Sequence, residues 1–149
     1  MVSAEAEYGG SMAEKASILS AHQAIAEWDV ISSFFALAMP YNLGRTSLEA
    51  IKQSVIDGYA MVMIVWDPDP KAPVIHAAFL IECDSYPHKR VMNIAMCGGS
   101  KIEQWAHLWP QLKASAKAQG FDQIEINGRP GWGKFITAKE TSRTFVEEL

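Results

Sequence analysis

Apolar residues in the first third of the chain are spaced as in an amphipathic helix. They recur at intervals of three and four between residues 13 and 39, at Ile18, Ile25, Trp28, Ile31, Phe34, Phe35 and Ala38. This stripe predicts one helix or two in succession, ended by Pro40, which lacks a backbone N–H. A shorter helix is predicted over 47–57, where Thr46 and Glu49 have capping-box spacing and Gly58 supplies a left-handed stop.

The middle of the chain contains three apolar segments typical of strands, at 59–66, 74–83 and 91–97. The segments are rich in Val, Ile and Met, and short turn sequences containing proline separate them. Because consecutive strands joined by short turns run in opposite directions, we predict an antiparallel meander. A hairpin register that sets Asp84 opposite Val91 would place Cys97 opposite about Ala78.

The second half of the chain predicts a strand, a crossover helix and a further strand. Ser100 and Glu103 repeat the capping-box spacing and open a helix to Gln119, which Pro110 should kink. The next strand covers 122–127 and, after such a crossover, should run parallel to 91–97. A short helix from Pro130 to about Ala138 and a last strand over 143–147 complete an α/β fold with a mixed sheet.

The domain organisation follows from length and composition. Residues 1–12 are small and polar and are predicted to form a flexible N-terminal arm, and residues 13–149 a single domain. The longest apolar run, Val30 to Met39, contains two serines and is far short of about 20 residues, and no basic segment followed by an apolar stretch opens the chain. We therefore expect a soluble, cytoplasmic protein.

Charge and cysteine spacing exclude several classes of function. The net charge of −4 disfavours a nucleic-acid partner, because gripping a phosphate backbone requires clustered Lys and Arg. Cys83 and Cys97 have no CxxC spacing and no pair of histidines nearby, so no metal site is predicted. In the hairpin register above they lie five residues apart, roughly 16 Å at strand rise, which is too far for a disulfide.

The junction Cys97-Gly98-Gly99-Ser100-Lys101 is the strongest local candidate for a binding site. Glycines allow backbone N–H groups to approach a phosphate closely, and a helix start adds partial positive charge. An ordinary strand-to-helix turn with a serine cap explains the same residues equally well. The junction has neither the Walker nor the dinucleotide-binding pattern, which disfavours nucleotide hydrolysis and hydride transfer.

The predicted order of elements resembles the GNAT N-acetyltransferase superfamily, and 81–136 resembles small GNAT-like proteins of tailed bacteriophages. The residues that carry the second resemblance are Tyr86, Pro87, Arg90, Gly98, Gly99, Trp105, Ala116 to Gly120, and Gly128 to Trp132. The resemblance implies a cleft where the strands 91–97 and 122–127 splay apart. Acetyl-CoA would bind there along Met96 and Cys97, with its acyl carbonyl on the strand backbone near Met96 and its pyrophosphate on the amides of Gly98, Gly99, Ser100 and Lys101.

Catalysis by such a protein needs a general base to deprotonate an amine. The carboxylates predicted on strands near the cleft are Glu82 and Glu125, with Asn93 and Asn127 as neighbours that could position water. For each carboxylate, a solvated position on a polar strand face is the alternative. His76 is a further candidate base, against a structural, hydrogen-bonded histidine.

Two functions remain open at this stage. The first is a phage-encoded, non-catalytic GNAT-like virion component or protein-interaction module in the host cytoplasm, with a phage or host protein as partner. It is favoured by five Trp and seven Met in a small chain and by apolar residues in the N-terminal helices beyond what one face needs. The second is an acetyl-CoA-dependent N-acetyltransferase that modifies a host or phage amine.

Overall fold

A computed structural model describes residues 7–8, 14–42, 44–68, 71, 74–99, 106–126, 139–141 and 145–149. Six strands form one mixed sheet in which the spatial order is the chain order. They are β1 (Glu7–Tyr8), β2 (Lys15–Leu19), β3 (Ala60–Asp67), β4 (Val74–Ser85), β5 (Arg90–Gly99) and β6 (Gln123–Ile126). Every neighbouring pair is antiparallel except β5 and β6, which are parallel. The predicted α/β class with a mixed sheet is confirmed.

Helices lie on both faces of the sheet. They are α1 (Ala21–Ala26), α2 (Trp28–Ala38), α3 (Leu48–Ile56) and α4 (Trp109–Ala118), with single 3-10 turns at Met39–Tyr41 and Ala106–Leu108. On one face α1, α2 and α3 cover a core that includes Ile31, Phe35, Ile51, Val62, Ile64 and Leu80. On the other face α4 covers a core that includes Met63, Phe79, Ile81, Met92, Ile94 and Leu112. We name these the α2 face and the α4 face.

The helical prediction for 13–39 is correct from Ala21 onward and wrong before it. Lys15–Leu19 is a strand paired with β3, and Ser20 then starts α1 through a capping box with Gln23. Within β2, Ser17 is fully buried and its hydroxyl accepts a 3.0 Å hydrogen bond from the indole N–H of Trp66. The few apolar residues of this segment fit both the spacing of a helix and the spacing of a strand. Pairing with β3 therefore decides its structure.

The predicted short helix is confirmed as α3, with its cap one residue later than expected. The side chain of Ser47, not Thr46, accepts the backbone N–H of Ala50 at 3.1 Å. Gly58 follows the helix with φ +81°, the left-handed conformation that ends it.

The antiparallel meander is confirmed, and its hairpin has the predicted pair Asp84 and Val91. Further along, a bulge shifts the pairing so that Cys97 lies opposite Phe79 instead of Ala78. Cys83 and Cys97 therefore lie four residues apart along the ladder, and neither is in a disulfide. The shift arises because β5 has one residue, Ala95, that no residue of β4 opposes.

The crossover from β5 to β6 is confirmed, but α4 differs from the long kinked helix predicted. The described part of the crossover begins with a 3-10 turn at Ala106, and the α-helix starts at Trp109, which puts Pro110 in the first turn. Proline is tolerated there because the first N–H groups of a helix have no intrahelical partner, so no kink results. Gly120 ends the helix with φ +88°.

Predictions for the tail are partly tested. Residues 145–147, expected in a last strand over 143–147, have no regular structure. The side chain of Phe145 is 92% exposed, so no packing favours a strand there. The start of that strand and the helix expected from Pro130 lie outside the described residues, as do Trp105, Asn127 and Gly128 to Trp132.

Candidate functional site

A row of polar side chains crosses the α2 face of the sheet. The strand register sets Glu82 of β4 opposite Asn93 of β5, and Asn93 opposite Glu125 of β6. Their chain neighbours Ile81, Met92, Ile94, Ile124 and Ile126 contribute to the α4-face core. Because side chains alternate along a strand, the three polar residues share the α2 face. With strands about 4.8 Å apart, the backbones of the two glutamates lie about 10 Å apart, with Asn93 between them.

The three members of this row, which we call the polar row, differ in exposure. Glu82 and Asn93 are half-buried and Glu125 is exposed. Among the described residues, the side-chain oxygen Oδ1 of Asn93 is buried and has no hydrogen-bond partner. A buried acceptor without a donor costs about 1–3 kcal/mol, so stability does not explain an asparagine at this position. The structure thus brings together both carboxylates named from the sequence, on either side of an amide oxygen that has no donor in the described ranges.

The strands that pair with β5 differ before and after Ala95, which lies two residues after Asn93. Pairing with β6 ends, within the described residues, at Ile94 and Ile126. Ala95 is the bulged residue, and Met96 to Gly99 continue in register with β4. The other edge of this last part of β5 has no strand partner in the portion of the chain that the structure describes. Alternate residues there present N–H and C=O groups that a ligand could pair with.

The two glycines at the end of β5 have a packing explanation. A Cβ built on Gly98 would lie 2.6 Å from the carbonyl carbon of Phe34. The backbone of α2 can therefore approach the backbone of β5 this closely only at a glycine. A Cβ on Gly99 would lie 2.5 Å from the Cβ of Ala77 and 2.8 Å from the carbonyl oxygen of His76. The close approach at Gly98 is therefore to helix α2. Phosphate binding by these glycines stays a prediction.

The other predicted cofactor-binding residues are placed as follows. Met96 and Cys97 are half-buried on β5, with Met96 packed on the α2-face core and Cys97 on the α4-face core. Ser100 and Lys101 lie outside the described residues. The strand does not end at Cys97 as predicted, because β5 continues through Gly98 and Gly99, which pair with Ala78 and Ala77. Met96 and Cys97 lie in the same part of β5, which has no second strand partner within the described residues.

His76 lies at the same end of the sheet as Gly99, away from the polar row. It is the extra residue of a second bulge, since Ile75 pairs with Trp66 and Ala77 pairs with Val65. Six residues of β4 separate His76 from Glu82, roughly 20 Å at strand rise. The candidate base His76 is therefore not part of the polar row.

Arg90, one of the residues that carried the sequence resemblance, has a structural role. Its guanidinium lies 4.6 Å from the ring centre of Phe121 and donates a 3.1 Å hydrogen bond to the carbonyl of Gln119. Its backbone N–H donates to a carboxylate oxygen of Asp122 at 2.9 Å, and its carbonyl accepts from the Asp122 N–H at 2.8 Å. Arg90 thus joins the start of β5 to the end of α4.

A cavity of about 610 Å³ lies on the α4 face, between α4 and the start of β6. It is lined by Trp109, Lys113, Ala116, Lys117 and residues 120–124. The polar row lies on the α2 face, on the opposite side of the sheet. The cavity is therefore separate from the polar row.

The described ranges contain neither a candidate metal centre nor a candidate membrane-spanning helix. No group of three or more His, Cys, Asp or Glu side chains in those ranges is arranged to hold a metal ion. None of the helices described there has the length and apolarity needed to cross a membrane.

Local sequence patterns give little indication of two features of the site. The bulge at Ala95 depends on the pairing of two distant segments, and the crossing of α2 over Gly98 depends on the packing of a helix 64 residues earlier. The pair of glycines is the only local sign of that crossing. The alignment of Glu82 with Glu125, in contrast, could be predicted from the meander and the crossover combined.

Comparison with known proteins identifies the fold. No protein-family model and no curated protein matches the chain. An aminoglycoside acetyltransferase from an uncultured soil metagenomic sample, solved with sisomicin, has a TM-score of 0.60 and 12% identity over 91% of this chain and 96% of that chain. A ribosomal-protein-alanine N-acetyltransferase from Brucella melitensis biovar Abortus 2308 has a TM-score of 0.61 and 14% identity, covering 92% and 99%.

A third structure, a possible acetyltransferase from Clostridium difficile 630, has a TM-score of 0.64 and 8% identity, covering 92% and 98%. The similarity in each case spans nearly the whole of both chains, and the identities are low enough that it concerns the fold alone. With the meander, the parallel pair β5 and β6 and the crossover helix described above, the chain has the fold of the GNAT acetyltransferases.

Proposed function

We propose that the protein is an acetyl-CoA-dependent N-acetyltransferase that acts on a primary amine. The observation that carries the proposal is the polar row, in which an amide lies between two carboxylates and its buried oxygen has no donor among the described residues. The row lies two residues before the point where the free edge of β5 begins. An amine site and a strand edge able to bind an extended ligand are thus adjacent.

The free edge of β5 fits an extended cofactor arm. The residues proposed to hold acetyl-CoA are Met96, Cys97, Gly98, Gly99, Ser100 and Lys101. In the described part of this set, β5 is extended and paired with β4 on one side only. An amide-containing arm laid along the other side would complete its hydrogen bonds in the manner of an added strand. When bound, acetyl-CoA would supply the thioester carbonyl that accepts the amine nitrogen.

Glu82 is the proposed general base. It is half-buried on the inner strand β4, whereas Glu125 is exposed on β6. A protonated amine loses two protons on becoming an amide: Glu82 would take the first, and the second would leave with the thiol. Asn93, which lies between the two glutamates, would help to position the amine nitrogen beside Glu82.

The chain offers no tyrosine beyond the second parallel strand to protonate the leaving sulfur, because Tyr86 is the last tyrosine in the sequence. The proton would instead come from the amine itself or from water. Glu125 would act by charge alone, holding a cationic amine near the row before it is deprotonated.

The structural neighbours support an amine acceptor over the virion-component hypothesis. Two of those described above are an aminoglycoside acetyltransferase and a ribosomal-protein-alanine N-acetyltransferase. A phage origin and a protein partner stay predictions from the sequence, without support from the comparisons.

The test measures acetyl-CoA binding and acetyl transfer separately. Isothermal titration should show acetyl-CoA binding to the unmodified protein and to Glu82→Gln with equal affinity. Glu82→Gln should lower kcat about 100-fold or more, as expected for loss of a general base. The matched control is Glu49→Gln, which changes an exposed glutamate in the first turn of α3 and should leave kcat unchanged. Failure to bind acetyl-CoA at millimolar concentration would refute the proposal.

A further inference from the structure

Residues 145–149, which we call the tail segment, leave their apolar side chains exposed. The segment reads Phe-Val-Glu-Glu-Leu, and its first three residues belong to the strand predicted over 143–147. The side chain of Phe145 is 92% exposed and that of Val146 is 48% exposed. A segment with this composition becomes a strand only when another strand pairs with it. No strand of the described sheet does so.

Strand β6 has a free edge in the part of the sheet that the structure describes. It is the last strand in the order and pairs with β5 on one side only. Along its other edge, backbone N–H and C=O groups alternate, and an added strand can pair with them. The chain therefore contains both a strand-like segment without a partner and a strand edge without a partner.

The cavity of about 610 Å³ on the α4 face lies beside this edge. Residues of α4 and residues 120–124 line it, and no residue of β5 does. Because β6 is the last described strand, a cavity bordered by β6 and not by β5 opens at the edge of the sheet. Its apolar walls include Trp109, Phe121 and Ile124. Cavities of this size enclose drug-sized ligands, so an aromatic side chain fits.

The cavity also has a cationic wall. Lys113 and Lys117 line it from successive turns of α4, with Cβ atoms about 6 Å apart. One carboxylate, that of Asp122, lies in the same lining, and it accepts the backbone N–H of Arg90 at 2.9 Å. An occupant with an apolar group and a carboxylate therefore suits the cavity better than a cationic one.

The tail segment has these two groups at the spacing required. In a strand, side chains two residues apart point to the same face and lie about 7 Å apart along the chain. A tail strand that places Phe145 over the α4 face also places Glu147 there. The ring then meets the apolar walls, and the carboxylate reaches the two lysines, which have a similar spacing.

We propose that the protein forms a dimer in which the tail segment of each copy pairs with the free edge of β6 of the other and inserts Phe145 into its cavity. The occupant is a second copy, because the tail segment of the same chain is exposed and none of its residues lines the cavity. Each copy has one segment and one cavity, so the exchange closes with two-fold symmetry. This inference does not depend on acetyl transfer.

The first test is the association state of the full chain, measured by analytical ultracentrifugation. The unmodified protein should be a dimer at micromolar concentration. Phe145→Ser should raise the dissociation constant of the dimer about 30-fold or more, as expected for an aromatic anchor of an interface. Tyr59→Ser is the matched control, because Tyr59 is 79% exposed elsewhere on the surface and its loss should leave the constant unchanged. A protein that stays monomeric at millimolar concentration, or equal weakening by both substitutions, would overturn the inference.

The second test distinguishes exchange between copies from docking within one chain. Lys117→Glu and Glu147→Lys each put like charges together, and each variant alone should dimerise about tenfold more weakly. Both positions are exposed, so the fold should tolerate either change. In an equimolar mixture, both junctions of the mixed dimer pair opposite charges, and its dissociation constant should return to within about threefold of the parent value.

The control for the mixture replaces Lys117→Glu with Lys52→Glu, which changes a lysine of α3 on the other face of the sheet. This mixture should show no recovery of dimer affinity. If mixing Lys117→Glu with Glu147→Lys likewise fails to restore the dimer, or if Lys52→Glu restores it equally, the proposed exchange is wrong.

Discussion

The two halves of β5 have the same partner on one edge and different surroundings on the other. Arg90 to Ile94 lies between β4 and β6, and Arg90 joins this half to α4. Ala95 to Gly99 begins with a bulge and pairs with β4 alone within the described residues. Where both edges are paired, backbone groups stabilise the fold. Where one edge is free, the same groups can bind a ligand, so one strand combines a structural half with a candidate binding half.

The largest effect on stability is expected from a substitution at Gly98. This residue belongs to the candidate binding half of β5 but contacts α2. Gly98→Ala should lower the free energy of unfolding by about 3 kcal/mol, because the new Cβ would overlap the carbonyl group of Phe34 and backbone cannot easily move aside. Urea unfolding followed by tryptophan fluorescence measures the change.

Gly44→Ala is the control for Gly98→Ala. Gly44 has φ +72° and no atom within 4 Å of a built Cβ, so only the left-handed backbone opposes the alanine. The cost should be about 1 kcal/mol. A Gly98→Ala protein as stable as the parent, with only acetyl-CoA binding lost, would show that the glycine serves a ligand and not the helix crossing.

A smaller loss of stability is expected in the structural half. Arg90→Ala removes the hydrogen bond to the Gln119 carbonyl and the contact with the ring of Phe121. Since Arg90 is exposed, the loss of unfolding free energy should be about 1–2 kcal/mol. Calorimetry should show a lower Tm, while titration should show an unchanged affinity for acetyl-CoA. Lys89→Ala, the neighbouring exposed cation, should change neither quantity, and weaker cofactor binding in Arg90→Ala would contradict the division of β5 into two roles.

The smallest effect on stability is expected from a substitution at Asn93, where the contributions to stability and to acetyl transfer should have opposite signs. Asn93→Leu removes a buried oxygen that has no donor in the described ranges and should raise the free energy of unfolding by about 1 kcal/mol, while acetyl transfer falls. The same replacement at Asn42 should instead lower stability, because the Asn42 side chain accepts the Gly44 N–H at 2.7 Å. Destabilisation by Asn93→Leu would mean that the amide has a structural partner in solution.

Much of the fold could be predicted from local patterns. Helix α3, the three meander strands and the parallel strand β6 follow from apolar periodicity and turn residues. Each involves neighbours in sequence or a crossover whose direction general rules fix. Lys15–Leu19 was mistaken for helix because a five-residue segment is too short for its period to be decisive. The expected strand at 143–147 failed for 145–147 for a similar reason, since strand propensity means little without a partner.

The candidate site, like the fold, could be predicted from the sequence only in part. The sequence alone determined which chemical groups are available, including Glu82, Glu125, Asn93 and the two glycines, and it determined the turns and crossover that bring the strands together. Only the tertiary structure decided that Ala95 bulges, that Gly98 lies beneath α2 and that the Asn93 oxygen is buried with no donor from the described residues. These features depend on contacts between segments tens of residues apart, whose energies no local pattern records.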